Sequence, residues 1–589
     1  MQEQDYSEVM GMLNQYANQF NTMVHDILRK RRTSDDVSGA FDPQKLFSLL
    51  NENVEVDSAQ LMQHHMAFMQ QQTTLWQNAS KAMLGEKVEP VIQEDAADKR
   101  FAHSEWQDNP VFSYLKQAYL INAQMMQGMI DSMRFKDPKA AEQVRFYTRQ
   151  YINSVSPTNY LLSNPEVCEE ILKSKGQSLV QGIKNFLEDL EHSPLEAFKI
   201  TQTQRDAFKV GENLAVTPGK VIFQNELIQL IHYTPTTAKQ YARPVLFVPP
   251  FINKYYILDL NERKSMVKGL LDQGFSVFMI SWVNPDASLA EHDFVSYMFN
   301  GPIAALDVVE QITGQDKINM TGFCVGGTLL AMTAAYLRAK GDERIGSLTL
   351  LTTLLDFTDQ GEIGNYLSDD SLPIMEQHAD IKGIYDGRIL GLSFSLLREN
   401  NLFWSYFINN YLKGKDPAPF DILHWNSDAT NITAACFKQY VRNTYWKNKL
   451  KVPGGMRIEG VDIDLRKLDM PVYFLSTMAD HIVLWQGAYR GTQIPKGDVR
   501  FILAGSGHLA GVINPPDKGK YPHWRNDALP ETAAQWFEQA EQVEGSWWPD
   551  WYKWMTEQDA TQIKSVTPGE HKLYPALEAA PGSYVLRTL

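Results

Sequence analysis

Cys324 stands in Gly322-Phe323-Cys324-Val325-Gly326, the spacing of a G-x-S-x-G nucleophile elbow with a thiol in place of the hydroxyl. Such a turn holds its central side chain up at the end of a strand, and flanking glycines let strand and helix backbones approach closely. The thiol would sit at a helix N-terminus, where free amides and the dipole favour a thiolate. A buried structural cysteine in a glycine-rich turn is the plain alternative. The β-rich run Lys317-Ile318-Asn319-Met320 before it and the apolar helical run from Thr328 to Ala335 after it favour the elbow.

Two further groups complete an acyl-transfer set. Asp480 follows the apolar run Val472-Tyr473-Phe474-Leu475, and His508 follows Arg500-Phe501-Ile502-Leu503. Nucleophile, acid and histidine in that order, each after a strand, is the order of the α/β-hydrolase arrangement, which places its site at the C-terminal ends of strands. His508 would take the thiol proton and Asp480 would orient or help charge the imidazole. His481 is a competing base, although chain neighbours in a loop usually point differently. The amide of Val325 is the expected first oxyanion donor. The second belongs to the loop Pro249-Pro250-Phe251-Ile252-Asn253-Lys254, where the prolines have no N–H to give. That leaves Phe251 or Ile252, with Ile252 the candidate. A thiol that attacks a thioester yields another thioester, so the acyl group stays activated for transfer to an alcohol if water is kept out.

These loops need a sheet to carry them. From about residue 205, apolar strands alternate with helical patterns, which predicts a mostly parallel α/β sheet buried on both faces, opened by a hairpin around Asn225-Glu226. The series breaks at about 357–467, an aromatic-rich, mostly helical insertion expected to form a cap over Cys324. Within it Trp425 is a candidate subunit contact or a buried cap residue. Residues 1–204 read as a helical N-terminal domain and 205–589 as the catalytic domain. The first carries a Met- and Gln-rich amphipathic stripe through Met62, Met66 and Trp76, and a basic run at 29–32. The closing tryptophans Trp547, Trp548, Trp551 and Trp554 suggest core or subunit packing.

A net charge of -15 argues against non-specific nucleic-acid binding, and three cysteines (Cys168, Cys324, Cys436) make no disulfide framework. No apolar run reaches the roughly 18 residues of a membrane span, and the N-terminus has no leader pattern, so a cytoplasmic protein is expected.

The chain resembles the bacterial polyhydroxyalkanoate synthases, class I type. The likeness rests on Pro249-Pro250-Phe251-Ile252-Asn253-Lys254-Tyr255-Tyr256-Ile257-Leu258-Asp259-Leu260, the elbow through Thr328, Trp425-Asn426-Ser427-Asp428-Ala429-Thr430, Ala479-Asp480-His481-Ile482-Val483, Ser506-Gly507-His508 and Gly545-Ser546-Trp547-Trp548-Pro549. The resemblance implies an acyltransferase that polymerises (R)-3-hydroxyacyl-CoA, with 3-hydroxybutyryl-CoA the expected unit. Cys324 would carry the acyl group, His508 would be the base, and Asp480 would assist, for instance in activating the hydroxyl that extends the polymer. It further implies a homodimer at polyester granules with their coat proteins, coenzyme A as product, and no metal or redox cofactor. Arg398 in the cap is a candidate for the coenzyme A phosphates. Two rivals remain: a cysteine-variant hydrolase (thioesterase or polyester depolymerase), and a non-catalytic granule-coat protein.

Overall fold

The computed structural model describes residues 54–95, 97–193 and 198–589; the basic run at 29–32 lies outside them. Two compact units divide the chain: one holds the residues up to Gln204 together with Leu392–Ala418, the other Arg205–Gly391 with Pro419–Leu589.

The first unit is built from capped helices. Asn109, Asp137 and Asn164 each accept the first amides of a helix whose next residue is proline, opening Pro110–Asp131, Pro138–Ser154 and Pro165–Lys173. The side chain satisfies an orphan donor and proline supplies the helical φ without needing a ladder bond. The long helix Ser58–Met83 starts at Asp57, whose carboxylate accepts the Gln60 amide at 3.1 Å. One departure from the all-helical reading is a short antiparallel pair, Val54–Val56 with Met133–Phe135. A second is larger. The insertion at 357–467 is not one cap on the catalytic unit, because its middle, Leu392–Ala418, packs with the N-terminal helices. The cause is polar burial: Glu399 accepts from Arg149 Nε at 3.2 Å and Asn153 Nδ2 at 2.7 Å, and Tyr411 donates to buried Asp189. Buried carboxylates need such partners.

The second unit is organised by an eleven-stranded sheet. In chain order its strands are β1 Gly219–Gln224, β2 Ile228–Tyr233, β3 Val245–Val248, β4 Val277–Trp282, β5 Ile318–Phe323, β6 Ile345–Leu351, β7 Val472–Thr477, β8 Val499–Ala504, β9 His523–Arg525, β10 Glu541–Val543 and β11 Glu578–Ala579. Their spatial order is β11-β1-β2-β4-β3-β5-β6-β7-β8-β9-β10. The six strands from β4 to β8 in that order run parallel. The β1–β2 hairpin turns on Asn225, whose side chain accepts the amides of Leu227 and Ile228 at 2.9 Å each. Strands β3, β4 and β5 are buried at every residue, the reason they read as unbroken apolar runs. The short outer strands β9, β10 and β11 have no counterpart in the sequence reading; at three, three and two residues they are too short to show a period.

The closing tryptophans belong to the core: Trp547, Trp548, Trp551 and Trp554 are all buried, on or beside the helix Trp548–Gln558. Trp551 donates from Nε1 to Thr349 Oγ1 on β6 at 2.9 Å, fixing that helix to the sheet. Among the described residues no helix is long and apolar enough to cross a membrane. Replacing a fully buried Trp by Ala costs about 3–5 kcal/mol. Trp551→Ala is therefore expected to lower the urea midpoint of the catalytic unit sharply, with Trp551→Phe, which loses the hydrogen bond but keeps most of the volume, in between.

Candidate active site

The site starts at the end of β5. Cys324 has φ 51° and ψ −123° and is followed at once by the helix Val325–Ala339. A residue with a Cβ at such a φ carries strain on the order of 1–3 kcal/mol, held only where the surroundings over-determine it. Here they do. Its amide donates to Leu351 O on β6 at 2.9 Å, and its carbonyl accepts from Gly327 and Thr328. A Cβ on Gly322 would lie 2.4 Å from Gly327 Cα, and one on Gly326 would lie 2.2 Å from Val248 O and 2.5 Å from Pro249 O. The two glycines thus press the elbow against itself and against the loop that leaves β3.

Asp480 and His508 arrive from the C-terminal ends of β7 and β8. His508 Nδ1 lies 2.7 Å from Asp480 Oδ2, and both residues are buried. Asp480 is fully engaged: Oδ2 also accepts from Thr477 Oγ1 at 3.2 Å, and Oδ1 accepts the amides of Ile482 and Val483 at 2.9 Å each. The imidazole stacks on Phe323, centroids 5.5 Å apart. Burial alone would depress the His508 pKa, but the Asp480 charge and hydrogen bond, together with Cys324, overcome it and raise the value to about 10. The structure therefore brings Cys324, His508 and Asp480 together, and the imidazole that Asp480 holds is that of His508. Cys324 itself is only partly buried.

The loop with the oxyanion candidates Phe251 and Ile252 starts against Gly326 of the elbow, and Val325 follows Cys324 directly. The amides of Val325, Phe251 and Ile252 have no protein acceptor among the described residues. The ring of Phe251 is buried among Trp282, Phe294, Tyr297 and Tyr440, which anchors this loop. Sequence reasoning missed Tyr440 and Tyr445, two insertion residues close enough to feel the sulfur. Burial raises the pKa of both phenols, and the Cys324 charge raises each further. Aromatic richness of the insertion was the available signal, but it marks no particular tyrosine. Trp425 is a buried cap residue rather than an exposed subunit contact, with Nε1 donating to Lys254 O at 2.6 Å. Arg398 is exposed and lies on Leu392–Ala418 in the helical unit.

Residues 97–270 match the family model described as "Poly-beta-hydroxybutyrate polymerase (PhaC) N-terminus", and residues 243–515 match the "alpha/beta hydrolase fold". The strand order agrees with the latter, so the second unit has the α/β-hydrolase fold. The chain is 42% identical over 90% of its length to the "Poly(3-hydroxyalkanoate) polymerase subunit PhaC" of Cupriavidus necator, covering 89% of that protein. It is 42% identical over 87% of its length to the "Poly(3-hydroxyalkanoate) polymerase" of Methylorubrum extorquens, covering 84%. The Rhizobium etli relative of the same name as the first is 38% identical over 95% of this chain and 89% of its own.

The raised His508 pKa predicts a pH-dependent stability. A folded-state value of about 10 against an ordinary 6.5 means the native protein binds more protons than the unfolded chain between those limits. The contribution is fully present below pH 6.5 and is lost as pH rises toward 10. Thermal melts of wild type and His508→Gln should differ most near pH 6 and converge by pH 10, a change on the order of a few kcal/mol.

Proposed function

The chain belongs to the poly(3-hydroxyalkanoate) polymerase family, and on that premise we propose that it polymerises (R)-3-hydroxyacyl-CoA, 3-hydroxybutyryl-CoA first among them, through a thioester on Cys324. The observation that carries this reading is the buried His508–Asp480 pair set against a strained cysteine at a helix N-terminus.

In the first step Cys324 Sγ attacks the thioester carbonyl while its proton rests on His508. Asp480 stabilises the imidazolium that results. The developing oxyanion is met by the Val325 amide and by Phe251 or Ile252, with Ile252 the preferred second donor. The C–S bond to coenzyme A breaks, His508 returns the proton to the leaving sulfur, and the acyl group stays on Cys324 as a thioester. In the second step the 3-hydroxyl of another unit attacks that carbonyl. Its proton passes to His508 and then to the departing Cys324 sulfur, and an ester bond remains. Full occupation of both Asp480 oxygens supports action through His508 rather than direct contact with the hydroxyl. No metal or redox cofactor enters either step. Arg398 is offered for the coenzyme A phosphates on its exposure and charge. Homodimer formation and placement in the cytoplasm at polyester granules, with their coat proteins, rest on the family. The exposed Met62, Met66, Met69 and Trp76 face suits an apolar surface.

Purified protein given (R)-3-hydroxybutyryl-CoA is expected to release coenzyme A and form insoluble polyester; free 3-hydroxy acid without polymer would instead indicate a thioesterase. Cys324→Ala should abolish acylation with the fold retained, and Cys324→Ser should be severely impaired, since an oxyester is less activated. His508→Gln should slow acylation about 10²–10⁴-fold. An alcohol gives up its proton far less readily than a thiol. Asp480→Asn, which weakens His508 as a base, should therefore retain measurable acylation in single-turnover assays while losing chain extension more heavily.

A further inference from the structure

Apart from the packed ring of Phe251, little within the loop itself fixes the backbone that carries the proposed second oxyanion donor. The loop opens with Pro249-Pro250, which offer no N–H for anchoring, and among the described residues the amides of Phe251 and Ile252 find no acceptor. At its start it is tied by Trp282, whose Nε1 donates to Pro249 O at 2.9 Å. What ties its other end is a short helix of the insertion, Asp421–Ser427.

That helix has a carboxylate at each end, and both face the segment that continues the loop. At the C-terminal end, Lys254 Nζ lies 2.7 Å from Asp428 Oδ1, and the Tyr256 hydroxyl donates to Asp428 Oδ2 at 2.9 Å. Asn253 pairs with Ala429 as an isolated bridge, beside the Trp425 bond to Lys254 O. At the N-terminal end, Lys264 Nζ meets both oxygens of Asp421 at 2.8 Å, and Asn261 donates to Oδ2 at 2.6 Å.

The Asp428 pair is expensive. The Lys254 side chain is 4% exposed and that of Asp428 11%, and the ammonium has an ion-pair contact without an aligned hydrogen-bond acceptor. Burial pushes the Lys254 pKa down and Asp428 only partly restores it. A buried ion pair is poor value as stabilisation, since well-packed apolar residues often do as well or better. What it supplies is geometry: a charged contact with one register. Two residues before Lys254 is Ile252, and the loop's first turn is pressed against Gly326 of the elbow.

We propose that Asp428, with Lys254 and Tyr256, is a positioning group for the oxyanion hole: it holds the amide of residue 251 or 252 at the distance from Cys324 that the tetrahedral oxyanion requires. The cap helix is thereby part of the catalytic apparatus without touching substrate, because the second oxyanion donor is in place only while the helix is seated. A donor displaced by about 1 Å loses much of its effect on the transition state yet leaves the sulfur and its base as they were.

The inference rests on Cys324 being acylated, so the test reads two reactions of the same sulfur. Acylation by 3-hydroxybutyryl-CoA passes through an oxyanion; alkylation by iodoacetamide does not. Asp428→Asn and Lys254→Met are expected to slow single-turnover acylation about tenfold to hundredfold, short of the ~10²–10³-fold for outright loss of a donor. Alkylation should stay within about twofold of wild type. Tyr256→Phe, which removes one hydroxyl and keeps the ring, should show the same split at about threefold to tenfold, and it carries the test if the charge variants do not fold. The exchanged pair Lys254→Asp with Asp428→Lys should recover part of the acylation lost by either single change. Parallel loss of acylation and alkylation, or unchanged acylation in folded Asp428→Asn and Tyr256→Phe, would overturn the proposal. Failure of the wild type to acylate at Cys324 would instead refute the underlying reading of the site.

Discussion

The backbone of Cys324 is the constraint from which the rest of the site follows. A side chain at φ 51° between a strand and a helix can persist only where neighbouring backbones leave it no alternative. Gly322 against Gly327 closes the turn, and Gly326 against Val248 and Pro249 brings in the end of β3. The contact that enforces the elbow is thus also one that seats the start of the loop after β3. Cys324 and the start of the loop after β3 therefore share one point of backbone contact.

The parallel sheet then solves the problem of bringing distant residues to one place. Strands β5, β6, β7 and β8 are neighbours in register, so the loops after β5, β7 and β8 open on the same edge. β6 lies between the strands that lead to Cys324 and Asp480, and its end contributes as well: Leu351 O accepts the Cys324 amide and Thr353 Oγ1 donates to Cys324 O at 3.3 Å. Asp480 has every accessible acceptor position filled, which fixes the orientation of His508 and concentrates negative charge on one side of the ring. A buried imidazole would ordinarily lose its proton; this one keeps it.

The insertion is divided in its allegiance. Its middle segment satisfies the buried carboxylates of the helical unit, while its flanks line and brace the catalytic unit. On the catalytic side it supplies aromatic walls through Tyr440 and Tyr445 and the two aspartates that flank Trp425.

Much of this was legible in the chain alone, and the reason is locality. The elbow is five consecutive residues, and a strand buried on both faces is an unbroken apolar run. The order cysteine, aspartate, histidine survives any detail of packing, so the fold class could be read before any coordinates, and so could the three residues that the fold brings together. Tertiary structure decided the rest. The bond from Tyr256 to Asp428 spans 172 residues, and no pattern announces which of many aspartates meets which lysine. The seven-residue helix Asp421–Ser427 makes too few turns to show which face Trp425 occupies. Edge strands of two or three residues carry no period, and the insertion could be divided between two units only by the partners that Glu399 and Asp189 found. Pairing of buried charges and the facing of short elements depend on which surfaces meet, and that is a property of the folded chain rather than of any stretch of it.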